Sequence, residues 1–443
     1  MKSLFAFALL VSSSSLLAQT FIRADFIDAN SAFGPSSTND EFGSQVRFAD
    51  DGRLVLVAAR NRTDDDDPSS QDGAVYSYQV QANGELVFRQ RLAPAERRLF
   101  GTILDADDQW AAIGESGDEV RLYRLNNGTW IESQLLRLTD VPSTTGVDVR
   151  DLDSSIAISG DLLAIGDDTT NINLGGVIRD NAGSVILFRR GADNVWRHEA
   201  TLIAPLPQSS FEFGAQVAVS GDTVLVGALN DTILVEGETT IVGGAYVFRR
   251  SGGSWTHVKT LRDPDPVLAS RRFGWSVALD GAIAVVGCAS CGQPESGVNN
   301  SGAFFTYRRD LGGSEGWGLV GKTVALTPDS IDNFSASLRL RHPVLLVGAP
   351  GNGARRASFF VGNQTGTWAR ATELQEPDPT FTSFGASVDF WGGIAVVGAT
   401  RWPNTSSSAR WGAISSWYSR SIASCRGNFD GIFCDRFEAG ASQ

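Results

Sequence analysis

The chain has 443 residues, 37 of them Lys or Arg and 50 Asp or Glu, for a formal net charge of −13. Nucleic acid and anionic membrane surfaces reward a basic face, so this balance argues against both as partners, although acidity alone names no ligand. Lys occurs only at positions 2, 259 and 322, so nearly every cation is an arginine, which reads as composition more readily than as function.

At the start, Lys2 precedes the apolar stretch Leu4 to Val11, then Ser12 to Ser15 and the exit Leu16-Leu17-Ala18. This is the three-part layout of a secretory signal peptide, residues 1–18, with cleavage expected after Ala18. The apolar core is too short to span a bilayer, and no later segment approaches the roughly 20 apolar residues that spanning requires. The expectation is an exported protein without a membrane span, secreted or held at the cell surface.

Next comes TFIRADFIDA, residues 20–29, and then one recurrent sentence. Near Phe42 it reads FGSQVRFADDGRLVLVAA followed by GAVYSYQV, and from Phe100 FGTILDADDQWAAIGE followed by EVRLYRLNNGTWIESQLL. From Leu152 it reads LDSSIAISGDLLAIGD, then GSVILFRRGADNVWRHEATL; from Phe213, where it is clearest, FGAQVAVSGDTVLVGA, then GAYVFRRSGGSWTHVKTL. Copies from Phe273 (FGWSVALDGAIAVVGC), Phe334 (FSASLRLRHPVLLVGA) and Phe384 (FGASVDFWGGIAVVGA, then GAISSWYS) complete the series.

Each copy holds four short runs that are apolar or alternate with period two, separated by turn residues such as Gly221-Asp222. Helical periodicity is absent after the signal. Four strands per copy and seven copies predict an all-β fold, a seven-bladed β-propeller of four-stranded antiparallel blades over residues 19–420. The repeated Phe fills the wedge between blades and the glycine beside it admits close backbone approach. The seventh copy lacks a Trp-bearing fourth strand, so residues 20–29 are expected to supply it, closing the ring and removing an open edge.

The pair Phe-Gly, then Val-Gly-Ala about a dozen residues on, then Gly-Ala-x-Tyr-Val-Phe, resembles the FG-GAP repeat family of integrin α-chain propellers and bacterial exported proteins. The likeness covers about residues 20 to 418 and is nearest the bacterial form. It implies adhesion or ligand recognition. Integrin-type repeats often carry a D-x-D-x-D-G calcium loop in the first hairpin. Here that hairpin is only Ser220-Gly221-Asp222, and Asp105, Asp107 and Asp108 lack the turning glycine, so no cofactor is expected and the calcium role is not carried over. The run Asp64, Asp65, Asp66, Asp67 is a weak cation candidate beside its plainer reading as a solvated acidic loop.

Four cysteines fall in two close pairs, Cys288 with Cys291 and Cys425 with Cys434. In an exported chain two local disulfides are the simpler reading, zinc the alternative. Residues 421–443 form a short tail, CRGNFDGIFCDRFEAG at its centre, read as a disulfide-closed cap. His198 and His257 share one repeat position where other copies have Glu132, Leu319 and Arg370, which suits an exposed strand site; His342 sits in a hairpin turn. No placement suggests a Ser-His-Asp triad, and no phosphate loop, dinucleotide fingerprint or metalloprotease motif is present.

Trp275, Trp391, Trp402 and Trp411 lie outside the repeated Trp position and are the candidate ligand-binding residues, either stacking on a sugar or protein surface or packed beneath loops. The leading expectation is a monomeric binding or adhesion module that recognises an extracellular protein or glycan, and not an enzyme. Its longest loops, residues 60–72, 169–182, 229–243 and 289–301, would supply the contacts. A secreted polysaccharide hydrolase or lyase, and a structural envelope protein, are the alternatives.

Overall fold

A computed structural model describes residues 21–28, 40–63, 72–95, 98–115, 117, 119–137, 140–142, 146–150, 154–235, 237–264, 272–291, 301–325, 332–351, 355–363, 365–378, 382–400 and 412–419. The signal-peptide and C-terminal tail assignments, residues 1–18 and 421–443, lie outside them. The described residues are almost wholly β, with one three-residue 3-10 turn at Asp50–Gly52. None forms a helix long and apolar enough to cross a membrane.

Among the described residues there are seven four-stranded antiparallel sheets. In chain order they occupy residues 42–92, 104–137, 155–202, 213–261, 276–324, 337–375 and 384–419, here called sheets one to seven. Sheets one to six take four consecutive strands, ignoring small hairpin inserts; sheet seven takes three and adds Phe21–Asp28 along Ala413–Ser419, pairing Phe21 with Ser419 and Asp28 with Ala413.

The first hairpins of sheets two to seven turn on two residues, that of sheet one on the four residues 50–53. Ser220 opposes Thr223, and Gly221 between them has φ +55°, the positive value that a type II′ turn demands of its first central residue. The second strands, such as Thr223–Ala228 and Ile394–Ala399, are buried at every position. The fourth strands are the most exposed; Trp196–Leu202 is buried only at its two ends, Trp196 and Leu202.

The core is divided among the joints between consecutive sheets. Phe213, Val224 and Val226 of sheet four pack on Leu162, Val185 and Leu187 of sheet three. Phe42, Val46 and Val57 of sheet one pack in the same way on Ile394, Val396 and Ile414 of sheet seven. Phe42, Phe100, Phe213, Phe273 and Phe384 are fully buried, each worth about 1.5–3 kcal/mol of burial.

Close backbone approach explains the repeated glycines at these joints. Gly412 pairs with Phe42 of sheet one, and a Cβ on it would stand 2.2 Å from the Phe42 carbonyl oxygen. Serines add a second stitch, for Ser155, Ser337 and Ser387 donate to the carbonyls of Gly214, Gly385 and Gly43 on the next sheet and Ser276 to that of Ser335, just before sheet six, at 2.6–2.8 Å.

Candidate functional site

The first strand of each sheet is its lead strand: Phe42–Ala49, Leu104–Asp107, Ser155–Ser159, Phe213–Ser220, Ser276–Asp280, Ser337–Arg341 and Phe384–Trp391. Each contacts the lead strand of the next sheet, and the seventh contacts the first. A cavity of about 420 Å³ is lined by residues of all seven. Pleating sends alternate side chains to one face, so the sixth residue of each copy falls in one layer: Arg47, Asp105, Ala157, Ala218, Ala278 and Arg339 line the cavity and Asp389 is buried behind it. Charge fills sheets six, seven, one and two, whereas the three sheets opposite carry alanine.

The charged half forms one network. Arg47 Nε donates to Asp105 Oδ1 at 2.8 Å, and Arg339 Nη1 donates to the same oxygen at 3.3 Å. Arg339 Nε donates to Asp389 Oδ1 at 3.1 Å, with Arg341 Nη2 3.5 Å from that atom. The remaining carboxylate oxygens accept backbone amides of the following lead strand: Phe48 N to Asp389 Oδ2 at 2.8 Å, and Ile158 N to Asp105 Oδ2 at 3.0 Å. A buried carboxylate needs such partners, because desolvation disfavours its charge.

Burial lowers the pKa of Arg47, opposed by Asp105 and reinforced by Arg339. Burial likewise lowers that of Arg341, to about 10, against the attraction of Asp389. Arg339 also feels burial most strongly, but Asp389 and Asp105 together outweigh it and raise its pKa. All three guanidiniums are charged at neutral pH.

Arg341 Nε donates to the Phe390 carbonyl at 2.9 Å and its guanidinium lies 4.4 Å from the Trp391 ring centre, a cation–π contact. Toward the same end, Asp107 accepts Gly160 N, and Asp280 Oδ2 accepts His342 N at 2.7 Å.

Of the tryptophans singled out in the sequence, Trp391 lines the cavity at the end of a lead strand. Trp275 follows Phe273 at the opposite end of the lead-strand layer, half-buried, with Arg272 5.2 Å from its ring. The two share no surface. Trp402, Trp411 and Asp64, Asp65, Asp66 and Asp67 lie outside the described residues, as do Cys425 and Cys434. Cys288 and Cys291 form a disulfide with Cα atoms 5.3 Å apart. Among the described residues no group of three or more His, Cys, Asp or Glu converges as a cation site.

The histidine positions differ from the exposed sites read in the sequence. His198 and His257 are half-buried, and each Nε2 lies 3.0 Å from a threonine hydroxyl, Thr201 and Thr260. Burial lowers the pKa of both. Each ring packs across the strand pair on an aromatic of the third strand, His198 on Phe188 with ring centres 6.1 Å apart and His257 on Phe248 at 5.5 Å.

Sequence reasoning missed the arginines altogether. Stacking the seven copies exposes the signal, since position six is charged in four copies and alanine in three while its flanks stay apolar.

Residues 196–248 match a family model described as FG-GAP repeat. No curated protein matches the chain. Among solved structures, the periplasmic gluconolactonase of Pseudomonas aeruginosa is 14% identical, with 75% of this chain and 85% of that one covered and a TM-score of 0.46. A protein from Lactobacillus plantarum is 9% identical, with 75% and 84% covered and a TM-score of 0.46. The matched segment runs from the fourth strand of sheet three to the third of sheet four, across the joint that Phe213 fills, and this stretch of the chain is an FG-GAP repeat.

Proposed function

We propose that the chain is an exported, closed seven-bladed β-propeller that binds an extracellular ligand, glycan or protein in class, at the cavity enclosed by its lead strands. The seven sheets, the unbroken circuit of lead-strand contacts and the pairing of Phe21–Asp28 with Ala413–Ser419 support the closed ring. One observation carries the binding reading: of the seven equivalent positions, Arg47, Asp105 and Arg339 line the cavity as charges, Ala157, Ala218 and Ala278 line it as alanines, and Asp389 is buried behind the arginines. Packing alone favours a filled axis of low-energy apolar side chains, whereas this axis is hollow, lopsided and furnished with guanidiniums. Those arginines and aspartates are tied into ion pairs and backbone hydrogen bonds, which suits holding a ligand more than exchanging protons with it.

Thermal shift of the purified chain against a library of sugars, sugar acids and amino acids tests the reading, with Ala218→Phe, a bulkier residue at a cavity-lining position, as control. A saturable stabiliser lost in that variant is the expected result. Stabilisers indifferent to Ala218→Phe would move the site elsewhere, and turnover of an oligosaccharide panel would replace binding with catalysis.

A second surface supports a protein partner. Two hairpins, Asn171–Leu174 with Val177–Arg179 and Thr232–Val235 with Glu238–Ile241, occupy the same connection in sheets three and four. They expose Ile178 at 57% and Leu234 at 73%, the kind of apolar side chain that protein interfaces cover. Pull-down of an extracellular partner with the Ile178→Asp, Leu234→Asp double variant as control checks this surface; capture unchanged by the variant discards it.

A further inference from the structure

We propose that the cavity takes a small hydroxylated monocarboxylate, with its carboxylate seated on Arg47, Arg339 and Arg341; this rests on the reading of the cavity as a binding site. The first support is a count of donors and acceptors. A guanidinium carries five N–H donors and no acceptor. Within the network, Arg47 uses Nε and Nη1, Arg339 uses Nε and Nη1, and Arg341 uses Nε and Nη2. Among the described residues nothing accepts from Arg47 Nη2, Arg339 Nη2 or Arg341 Nη1. Both oxygens of Asp105 and of Asp389 are meanwhile engaged. Within this inner network donors outnumber acceptors, so an acceptor-rich guest completes the set.

Charge sets the guest's valence. Within the inner layer three guanidiniums meet only two carboxylates, a local excess of one positive charge, whereas Asp51, Asp107, Asp108 and Asp280 line the same cavity and leave it acidic as a whole, so one anionic group is the most the layer accommodates. A dianion such as phosphate would bring a second negative charge toward Asp105, Asp107 and Asp280, at the like-charge cost that a desolvated site magnifies. The guanidinium fork matches a carboxylate with two parallel hydrogen bonds.

Space and polarity set the rest. The three alanines opposite leave room in front of the arginines, and about 420 Å³ lies within the range of small-molecule sites, roughly 300–1,000 Å³. Asp107 and Asp280 each commit one oxygen to a backbone amide and keep the other as an acceptor, which suits hydroxyl groups on the guest.

Isothermal titration of the full chain with D-galacturonate, D-galactose and inorganic phosphate separates these elements. Galacturonate should bind saturably, and galactose, equal in shape but lacking the carboxylate, at least about tenfold more weakly. Phosphate should also be the weaker ligand. Arg341→Gln should weaken galacturonate by about tenfold or more, and Ala218→Phe, which removes no member of the ion-pair network, should abolish it in a chain that still unfolds cooperatively. Equal binding of galactose and galacturonate, tighter phosphate, or galacturonate affinity unmoved by Arg341→Gln overturns the carboxylate seat. So does no galacturonate binding at up to about 10 mM; a different ligand blocked by Ala218→Phe would then leave the binding-module reading standing.

Discussion

Ser387 of sheet seven donates its hydroxyl to the Gly43 carbonyl of sheet one at 2.7 Å, joining residues 344 apart in the chain. Equivalent bonds run from Ser155 to Gly214 and from Ser337 to Gly385. A net hydrogen bond of this kind contributes about 1 kcal/mol, and more is lost when a buried partner is stranded. Ser387→Ala should therefore lower the unfolding free energy by about 1–3 kcal/mol. Urea unfolding measures it, and a loss below the error of the fit would mean the stitch is ornamental.

The strand Phe21–Asp28 carries its own anchors. Phe21 stacks on Phe359 at 4.8 Å between ring centres, and Arg23 pairs with the buried Glu376, which also accepts the Ser415 hydroxyl at 2.7 Å. Deleting residues 19 to 30 strips a whole strand from sheet seven and strands that carboxylate. We expect the melting temperature to fall by about 10 °C or more. An unchanged melt would show that the ring holds without this strand.

Two glycines with positive φ separate steric need from backbone preference. Gly412, φ +80°, would set a Cβ 2.2 Å from the Phe42 oxygen, whereas Gly252, φ +59°, has nothing within 4 Å. Gly252→Ala should cost about 1 kcal/mol for the left-handed backbone alone. At Gly412 the same change also forces sheets seven and one apart and should cost about 3 kcal/mol or more. Similar losses at the two sites would refute close approach as the reason for the repeated glycine.

His198 and His257 titrate below their ordinary value because burial disfavours the imidazolium. The unfolded chain then binds more protons than the folded one between the depressed values and about 6.5, so stability rises with pH across that window. Acidification below about pH 6.5 should destabilise the native chain more than it does the His198→Gln, His257→Gln double variant. Denaturant melts between pH 5 and 7.5 would detect this as a difference in slope, and parallel curves would count against it.

Much of the frame was readable in the residues. Alternation of apolar runs with Gly-Asp turns gave the four-strand unit, and Phe213 marked the joint because a ring of that size repeating beside glycine has few other homes. Ser387 escaped notice because a serine in a strand looks solvent-facing until a neighbouring sheet supplies a carbonyl. Asp105 and Asp389 were lost in an acidic chain, for their value lies in meeting Arg47 and Arg339 from distant copies, a relation set by where seven lead strands converge. Trp275 and Trp391 illustrate the reverse: nothing local says that one stands beside the beginning of a lead strand and the other at the end, so the residues alone do not separate them.

Antiparallel pairing of Phe21 with Ser419 and Asp28 with Ala413 places both outer ends of that strand pair side by side. A load applied through residues 21 and 419 would therefore peel the pair open one hydrogen-bonded rung at a time, and not shear all rungs together. Tethered at both ends, the molecule would have a built-in weak seam, yielding at low force along Phe21–Asp28 while the remaining six sheets stayed folded.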